Sequence, residues 1–544
     1  MKYLVTSALP YANGPLHFGH IAGAYLPADI FVRCARIMGH DVSFICGTDE
    51  HGAAITLTAE QAGRTPREQV DIYHENIKNF FKQLDIEFDH FSGTSRNKDH
   101  ESWTHTFFNC LKDKGFITKN TSKRQHCGEC NRFLPDRYVT GECYLCHYEK
   151  ARGDECPQCG EFLDEKELIN PKCKLYGHET KLKETTHWQL RLDLLKPKIK
   201  EWLDTKTHWK PSVRNLALSQ LEEIRPRDIT RDLDWGVPVP IEGVKDKVLY
   251  VWFDAPIGYI SATQEGFGVE KSFDLWLNSE TKLIHFIGKD NIPFHTIIWP
   301  AMLLGMNSSD DDGVASSSKI KLDYILPDNV PAHSFYNYEG KKFSTSEGHT
   351  IDTDDFFSKY PTDYARWTIA RTFPENKDSS WTWKDFEKCV NSELNDTIGN
   401  LVNRVVRGFI IKKFNGVTPS GKRTKSKLED HIQEAIKLFH KSRELIMEYK
   451  FREASDNVLK IGFAANKYFE DNKPWALFKT DIELCEEVIY DTLVMIDILA
   501  EGLKPFIPES AEKIHKVIGR TDLGYQWVQK EFENIFFKVE LGDE

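Results

Sequence analysis

The stretch Ala8-Leu-Pro-Tyr-Ala-Asn-Gly-Pro-Leu-His-Phe-Gly-His20 decides how this chain is read. It follows a strand-like run, Tyr3-Leu-Val-Thr. A turn is expected at Asn13-Gly14-Pro15, and a helix from about Leu16 onward. His17 and His20 are three residues apart at that helix start, so their imidazoles share one face. A helix N-terminus offers free N–H groups and the positive end of a dipole, which suits a phosphate. Two more donors flanking Gly19 make a place for a triphosphate and for a ring lying flat on backbone. Further on, Val42-Ser-Phe-Ile-Cys46 completes a βαβ unit with a strand near 3–8 and a helix near 17–38.

The chain of 544 residues is too long for one core, and three or four domains are expected. Hydrophobic content of 40% and charged content of 28% are those of a soluble globular protein. The N-terminus reads as a first strand rather than a signal peptide, and no run is long enough for a membrane span. A net charge of -12 argues against a generally basic nucleic-acid binder, but leaves room for a local basic stripe that docks one folded RNA. Seven of the twelve cysteines fall between Cys127 and Cys173, which is metal-site clustering in a reducing, cytoplasmic compartment.

Residues 1 to about 115 read as α/β, with a long amphipathic pattern through Asp71–Leu84. The cysteine-rich segment interrupts at about 120–180. Strand-like runs return at Val248-Leu-Tyr-Val-Trp-Phe253 and Leu283-Ile-His-Phe-Ile-Gly288. This order fits a nucleotide-binding sheet split by an inserted domain. The polar stretch Asn307–Ser318 reads as an exposed loop. From about 386 onward helical periodicity dominates, for example over Asp430–Tyr449, and a helical bundle is expected. Within the cysteine-rich segment, Cys143-Tyr-Leu-Cys146 and Cys156-Pro-Gln-Cys159 are two CxxC knuckles whose four thiolates suit tetrahedral zinc in a structural site.

The opening segment resembles the first signature of class I aminoacyl-tRNA synthetases. With Ala-Leu-Pro-Tyr-Ala-Asn-Gly ahead of the histidines it resembles the methionyl-tRNA synthetases, and the resemblance covers essentially the whole chain. It implies a split Rossmann-like catalytic domain at 1–116 and 221–325. It further implies an inserted zinc-binding domain at 117–220, a stem-contact segment at 326–385 and a helical anticodon-binding domain at 386–544. The implied activity is that of a ligase: methionine and ATP form methionyl-adenylate, which is transferred to the 3′-terminal ribose of tRNA(Met), with Mg²⁺ accompanying ATP. A synthetase of the same subclass for leucine, isoleucine, valine or cysteine is the alternative enzyme. A synthetase-derived zinc-ribbon RNA-binding protein without activity is the non-enzymatic one.

The resemblance also implies site residues. His17 and His20 would stabilise charge on the phosphates as pyrophosphate leaves. The second family signature is matched by Gly340-Lys-Lys-Phe-Ser-Thr-Ser346, with Lys342, Ser344 and Ser346 in place. Phe343 replaces a methionine, and Thr345 stands where a second lysine is expected. Either Lys341 or Lys342 compensates for that lost charge, or the rate leans more on Mg²⁺ and the histidines. Tyr11, Asn13, Gly14, Gly19, Gly288, Asp290 and Asn291 complete the expected ATP site. Leu9, Tyr11, Trp252, Ala255, Pro256, Tyr259, Phe294, His295 and Trp299 would form an apolar, aromatic methionine pocket, and Asp49 would bind the ammonium. Cys127-Gly-Glu-Cys130 and Cys173 would hold a second zinc. The CxxC that closes that site in relatives is broken by Tyr176, which leaves His178, or more weakly His126, as fourth ligand. Asn400 and Arg404 would bond unstacked anticodon bases, and Trp475 in Asn472-Lys-Pro-Trp475 would stack on one. Arg404, Arg407, Lys412 and Lys413 form a basic stripe. A monomer is expected.

Overall fold

The computed structural model describes residues 1–153, 156–159, 163, 167–308, 323–344, 348–419, 429–521, 524–525, 532 and 534–540. Thr345, Ser346 and most of the polar 307–318 stretch lie outside these residues. The chain divides into two compact units. One comprises Met1–Pro15, Ser43–Phe80 and Phe88–Pro331. The other comprises Leu16–Val42, Phe81–Glu87 and Ala332–Glu544.

The first unit is built on the strands β1 (Lys2–Ser7), β2 (Asp41–Thr48), β3 (His90–Gly93), β4 (Ile117–Cys127), β5 (Thr180–Leu190), β6 (Thr281–Gly288) and β7 (Pro327–Asn329). Its central sheet runs β7-β6-β1-β2-β3. β1 and β6 are parallel, Lys2 opposite Thr281 through Ser7 opposite Phe286. β6 and β7 are parallel, as are β2 and β3. Near-continuous apolar runs such as Tyr3-Leu-Val and Leu283-Ile-His-Phe-Ile are buried along both faces, as parallel strands covered by helices require. The sheet is Rossmann-like, and the polypeptide between β3 and β6 contains the insertion.

In the insertion, β4 and β5 form a long antiparallel ribbon, Ile117 opposite Leu190 and Cys127 opposite Thr180. At its far end a small knob is cored by Leu134, Tyr138, Val139, Ala151, Leu163 and Leu168 with buried cysteines. It packs against Ala53 and Leu57 of the helix Ala53–Gln61.

One sequence expectation is corrected here. Val248–Phe253 is not a strand: only Val248–Leu249 pairs, and Val251–Asp254 is helical, followed by a 3₁₀ turn at Ala255–Ile257. A short apolar run buried on all sides reads the same whether it coils or extends. Here Pro256 sits at the start of the 3₁₀ turn, where its fixed φ favours helical geometry.

The second unit carries the signature helix and the helical bundle. The helix begins at Phe18–His20, passes through a π segment at Ile21–Tyr25 and continues over Leu26–Ile37. Bundle helices follow at Glu429–Met447, Phe451–Asn472, Ile482–Leu503 and Pro508–Val517. Phe31 stacks on Tyr449 at 5.4 Å, joining signature helix to bundle. Among the described residues no helix is long and apolar enough to cross a membrane.

The centre of this unit is a buried charge. Arg366, fully enclosed, donates to Asp29 Oδ2 at 2.7 Å and to the carbonyls of Leu84, Asp85, Pro505 and Phe506. Arg366 therefore ties the signature helix, the segment 81–87 and the bundle to the helix Thr362–Thr372. Its removal leaves Asp29 and four carbonyls short of a donor. Arg366→Met is expected to destabilise this unit by about 3–5 kcal/mol, read as a lower denaturant midpoint; an unchanged midpoint refutes the role.

Candidate active site and metal centres

Pairing of β1 with β6 places two chain exits side by side. Ala8 N–H continues the ladder by bonding Phe286 O at 2.9 Å. The exit of β2 joins them: Asp49 N–H bonds Pro10 O at 2.8 Å and Ala12 N–H bonds Asp49 O at 2.9 Å. In a parallel α/β sheet ligands bind at these carboxyl ends. Leu9, Tyr11 and Asp49 thus share one edge with the Gly288–Trp299 block.

The helical turn that replaced the expected strand decides how the next block faces. Trp252, Ala255, Pro256 and Tyr259 are spaced i, i+3, i+4 and i+7, so a helical path turns all four to one side. Trp252 meets Phe294 with centroids 4.2 Å apart. Leu9 lies against Gly258, where an added Cβ would meet its Cδ1 at 3.1 Å. Trp299 is fully buried between Phe107 and Trp276, and its Nε1 has no hydrogen-bond partner. His295 Nδ1 lies 3.1 Å from Asn291 O, so that nitrogen carries the proton and Nε2 accepts from Tyr259 Oη at 2.8 Å. Burial pushes its pKa down to about 4, so the ring is neutral. Asn291, expected near ribose or amino acid, holds His295 through its backbone carbonyl.

Two carboxylates at this edge differ in state. Asp49 is buried, its Oδ1 unpartnered, and its pKa is raised well above the usual range by burial and then by Asp254. Asp254 is equally buried, but His51 and His100 hold its pKa below the ordinary value against the burial. His51 Nδ1 lies 2.6 Å from Asp254 Oδ2. Glu50, between them in sequence, is tied to Arg96, His74, Ser95 and Thr48 and stays ionised, with a pKa of about 2. Oδ1 of Asp49 and Oδ1 of Asp254 both lack a hydrogen-bond partner, but Asp49 has no histidine pair to keep it ionised, so it is the carboxyl that an incoming cation would ionise.

In the second unit, His17 and His20 stack with centroids 3.8 Å apart. His17 N–H donates to His20 Nδ1 at 3.2 Å, which leaves Nε2 of His20 as its donor. Burial and then His20 hold His17 at a pKa of about 2, and the surrounding protein lowers His20 to about 4, although its ring edge reaches solvent. Both act as neutral donors. Gly19 has no space for a side chain: a Cβ there would lie 2.8 Å from His17 Nδ1 and 2.9 Å from Tyr336 O.

Phe343 stacks on His17 at 4.5 Å with the rings nearly parallel, so the two signature segments meet. Tyr338 and Lys341 exchange backbone hydrogen bonds across Glu339-Gly340, both at positive φ, the geometry of a tight hairpin turn. Lys342 is exposed, its Nζ 5.1 Å from the Phe335 ring. Ser344 pairs with His349.

Residues 3–406 match the family model described as tRNA synthetases class I (M), and residues 418–544 match the anticodon binding domain of methionyl tRNA ligase. The chain belongs to the methionyl-tRNA synthetase family. The methionine--tRNA ligase of Protochlamydia amoebophila is 45% identical over 531 residues, 95% of this chain and 73% of that protein. The enzyme of Thermococcus kodakarensis is 43% identical over 523 residues, 94% and 70% of the two chains. In fold, the chain is similar to Mycobacterium tuberculosis methionyl-tRNA synthetase in complex with methionyl-adenylate, with TM-score 0.78, 23% identity and coverage of 98% and 100%.

For this family member the cysteine-rich knob brings two sets of ligands together. Cys143, Cys146, Cys156 and Cys159 converge, with Sγ–Sγ distances of 4.0 Å for 143–159 and 3.5 Å for 146–156. Tetrahedral zinc with bonds of about 2.3 Å puts sulfurs about 3.8 Å apart, so the four thiols fit the ion. Cys127, Cys130 and His178 form the other group, His178 Nδ1 lying 3.6 and 3.5 Å from the two sulfurs. Cys173 Sγ is 3.9 Å from Cys130 Sγ. Backbone donors, Cys130 N–H among them, outweigh burial and lower Cys127 to a pKa of about 7. His126 packs edge-on against Phe133 and is not in the group.

In the bundle, the Arg404 guanidinium lies 4.6 Å from the Phe469 ring and 5.7 Å from Trp475, and pairs with Glu470. Trp475 is 40% exposed, so its face is available to solvent. Lys473 adopts a left-handed turn and Pro474 opens the next helix, which is why Asn-Lys-Pro-Trp makes a corner. Asn400 is exposed at the start of the helix Asn400–Val405. Lys413 lies over Phe478 at 4.5 Å.

Several residues escaped sequence reading. Asp254 lay inside a quoted block, but nothing in one sequence shows that His51 and His100 would meet it. Phe343 appeared only as a departure from the signature, and its stack on His17 is a tertiary fact. The neutrality of the histidines is open to test: nitrogen-detected NMR of the unliganded protein should show His20 as the Nε2–H tautomer with no titration between pH 5.5 and 8. A midpoint near 6.5 for either ring contradicts it.

Proposed function

We propose that the chain joins L-methionine to tRNA(Met) in two steps, as the ligase activity named for its relatives requires. In the first, a carboxylate oxygen of methionine attacks the α-phosphorus of ATP. The bond to the bridging oxygen breaks, and pyrophosphate leaves with Mg²⁺. In the second, the 2′-hydroxyl of the terminal ribose attacks the methionyl carbonyl, AMP departs and the hydroxyl proton is lost. The buried Asp49, whose Oδ1 has no hydrogen-bond partner, carries this reading, because an amino-acid ammonium would pair with it and ionise it. The carboxylate is its own nucleophile, so positioning and charge stabilisation suffice.

His17 and His20 donate hydrogen bonds to phosphate oxygens as neutral rings, and Lys342, reaching into solvent, brings the cationic charge. Tyr11, Asn13, Gly14, Gly19, Gly288, Asp290, Asn291 and Ser344 complete the ATP site, as would Thr345 and Ser346. The apolar wall from Leu9 to Trp299 takes the methionine side chain. Arg404, Trp475 and Asn400 receive the anticodon, where an exposed indole beside a guanidinium suits an unstacked base.

Methionine-dependent exchange of pyrophosphate into ATP tests this function. Exchange with methionine and none with leucine or valine is expected; preference for either of those, or no exchange, overturns it. Lys342→Ala should slow exchange by about 100-fold or more, and a near-normal rate removes Lys342 from its role.

Zinc at Cys143, Cys146, Cys156 and Cys159, and a second ion at Cys127, Cys130, Cys173 and His178, would hold together a knob whose own apolar core is small. Elemental analysis should find two zinc per chain in the native protein and one in His178→Ala. One zinc in the native protein refutes the second site.

A further inference from the structure

Two carboxylates lie at the edge beyond β1, β2 and β6, and the reaction proposed above uses only one of them. Asp254 stands immediately before Ala255 and Pro256 of the proposed methionine wall and is fully buried. One residue, His51, touches both carboxylates. Its backbone N–H bonds the Asp49 side chain, and its Nδ1 lies 2.6 Å from Asp254 Oδ2. Asp49 and Asp254 are therefore within one residue's reach of each other.

Asp254 is a charged group with too few partners. His100 Nε2 stands 3.9 Å from Asp254 Oδ2, near enough to act by charge and too far for a hydrogen bond. Oδ1 of Asp254 has no hydrogen-bond partner, and neither has Oδ1 of Asp49. Among the described residues, neither carboxylate pairs with a lysine or arginine. A buried carboxylate has lost its water shell and is ordinarily matched by a cation or by several donors. His51 and His100 nevertheless hold the Asp254 pKa below the ordinary value. Asp254 thus carries its charge before any ligand arrives, whereas Asp49, raised by burial and then by Asp254, acquires its own when a cation pairs with it. Tyr11 of the methionine pocket senses both: burial lifts its hydroxyl well above the usual range, and Asp49 and, less strongly, Asp254 add to the rise.

An ammonium brings one positive charge and three N–H donors, of which Asp49 Oδ1 accepts one. We propose that Asp254 is the second carboxylate of the ammonium subsite, its Oδ1 accepting from the α-ammonium of methionine beside Oδ1 of Asp49. His51 and His100 are then positioning residues, which fix Asp254 and its charge without touching the substrate. This inference rests on the proposed function and extends its amino-acid site by one residue. The competing occupant of Asp254 Oδ1 is a buried water, and ligands that differ only in the amine or the carboxylate separate the two.

The test uses the full-length protein and two competitors of methionine-dependent exchange. Methioninol keeps the ammonium and the side chain, and desaminomethionine keeps the side chain and carboxylate without an amine. In Asp254→Asn, whose amide oxygen still accepts from His51, the inhibition constant of methioninol should rise about 10- to 100-fold, the effect of one charge-assisted contact. That of desaminomethionine should stay within about two-fold of native, and KM for methionine should rise more than kcat falls. His100→Gln keeps both carboxylates and carries the test if Asp254→Asn does not fold; it should weaken methioninol alone, by about 3- to 10-fold. Native inhibition by methioninol overturns the proposal and leaves Asp254 to water. So does an equal weakening of both competitors, which would make Asp254 a support of the pocket rather than part of it. If the native protein shows no methionine-dependent exchange, the proposed function fails, while calorimetric binding of the same two compounds still reads the carboxylate pair.

Discussion

The parallel pairing of β1 with β6 is the constraint on which the first unit depends. It joins residues 2–7 to 281–286, and everything inserted between them must leave and return without disturbing that ladder. Contact between segments so distant in sequence costs considerable loop-closure entropy, and burial of both strand faces offsets it. Its consequence is local: the loops after β1, β2 and β6 emerge at one edge, and that edge carries Leu9, Asp49 and the Gly288–Trp299 block. The second unit has its own counterpart in Arg366, whose guanidinium is shared by the signature helix and the bundle.

Charge is handled differently in the two halves of the chemistry. At the edge beyond β1, β2 and β6, Asp254 is kept ionised by two histidines, whereas Asp49 has no such pair and its pKa is raised. At the signature, the histidines are held neutral by burial, and His17 also by His20. Under the proposed function, phosphate charge is met by oriented N–H groups, whose directions are set before the ligand arrives, and by lysine side chains that reach it from solvent. In that proposal Lys342 takes the cationic share of the work, in a chain where Thr345 replaces the second lysine.

Motifs were legible where chemistry is written into consecutive residues. The helix that carries His17 and His20, and the CxxC knuckles, follow from short-range spacing, and both are found in the structure where the sequence put them. The segment Val248–Phe253 was misread because a fully buried apolar run has no polar face to reveal its period. That error mattered, because only the helical path turns Trp252, Ala255, Pro256 and Tyr259 to one side. That His178 would converge with Cys127 and Cys130 was open in sequence for a related reason: a residue distant along the chain cannot be ranked by spacing.

By itself, then, the sequence determined where most local motifs form and which residues its signatures single out, since these depend on neighbours within a few residues. Tertiary structure alone decided which of those groups meet. It put His51 and His100 on Asp254, Phe343 on His17, and Arg404 beside Trp475. It also decided their protonation, because a pKa responds to burial and to charges brought from far along the chain, and neither is present until the chain has folded.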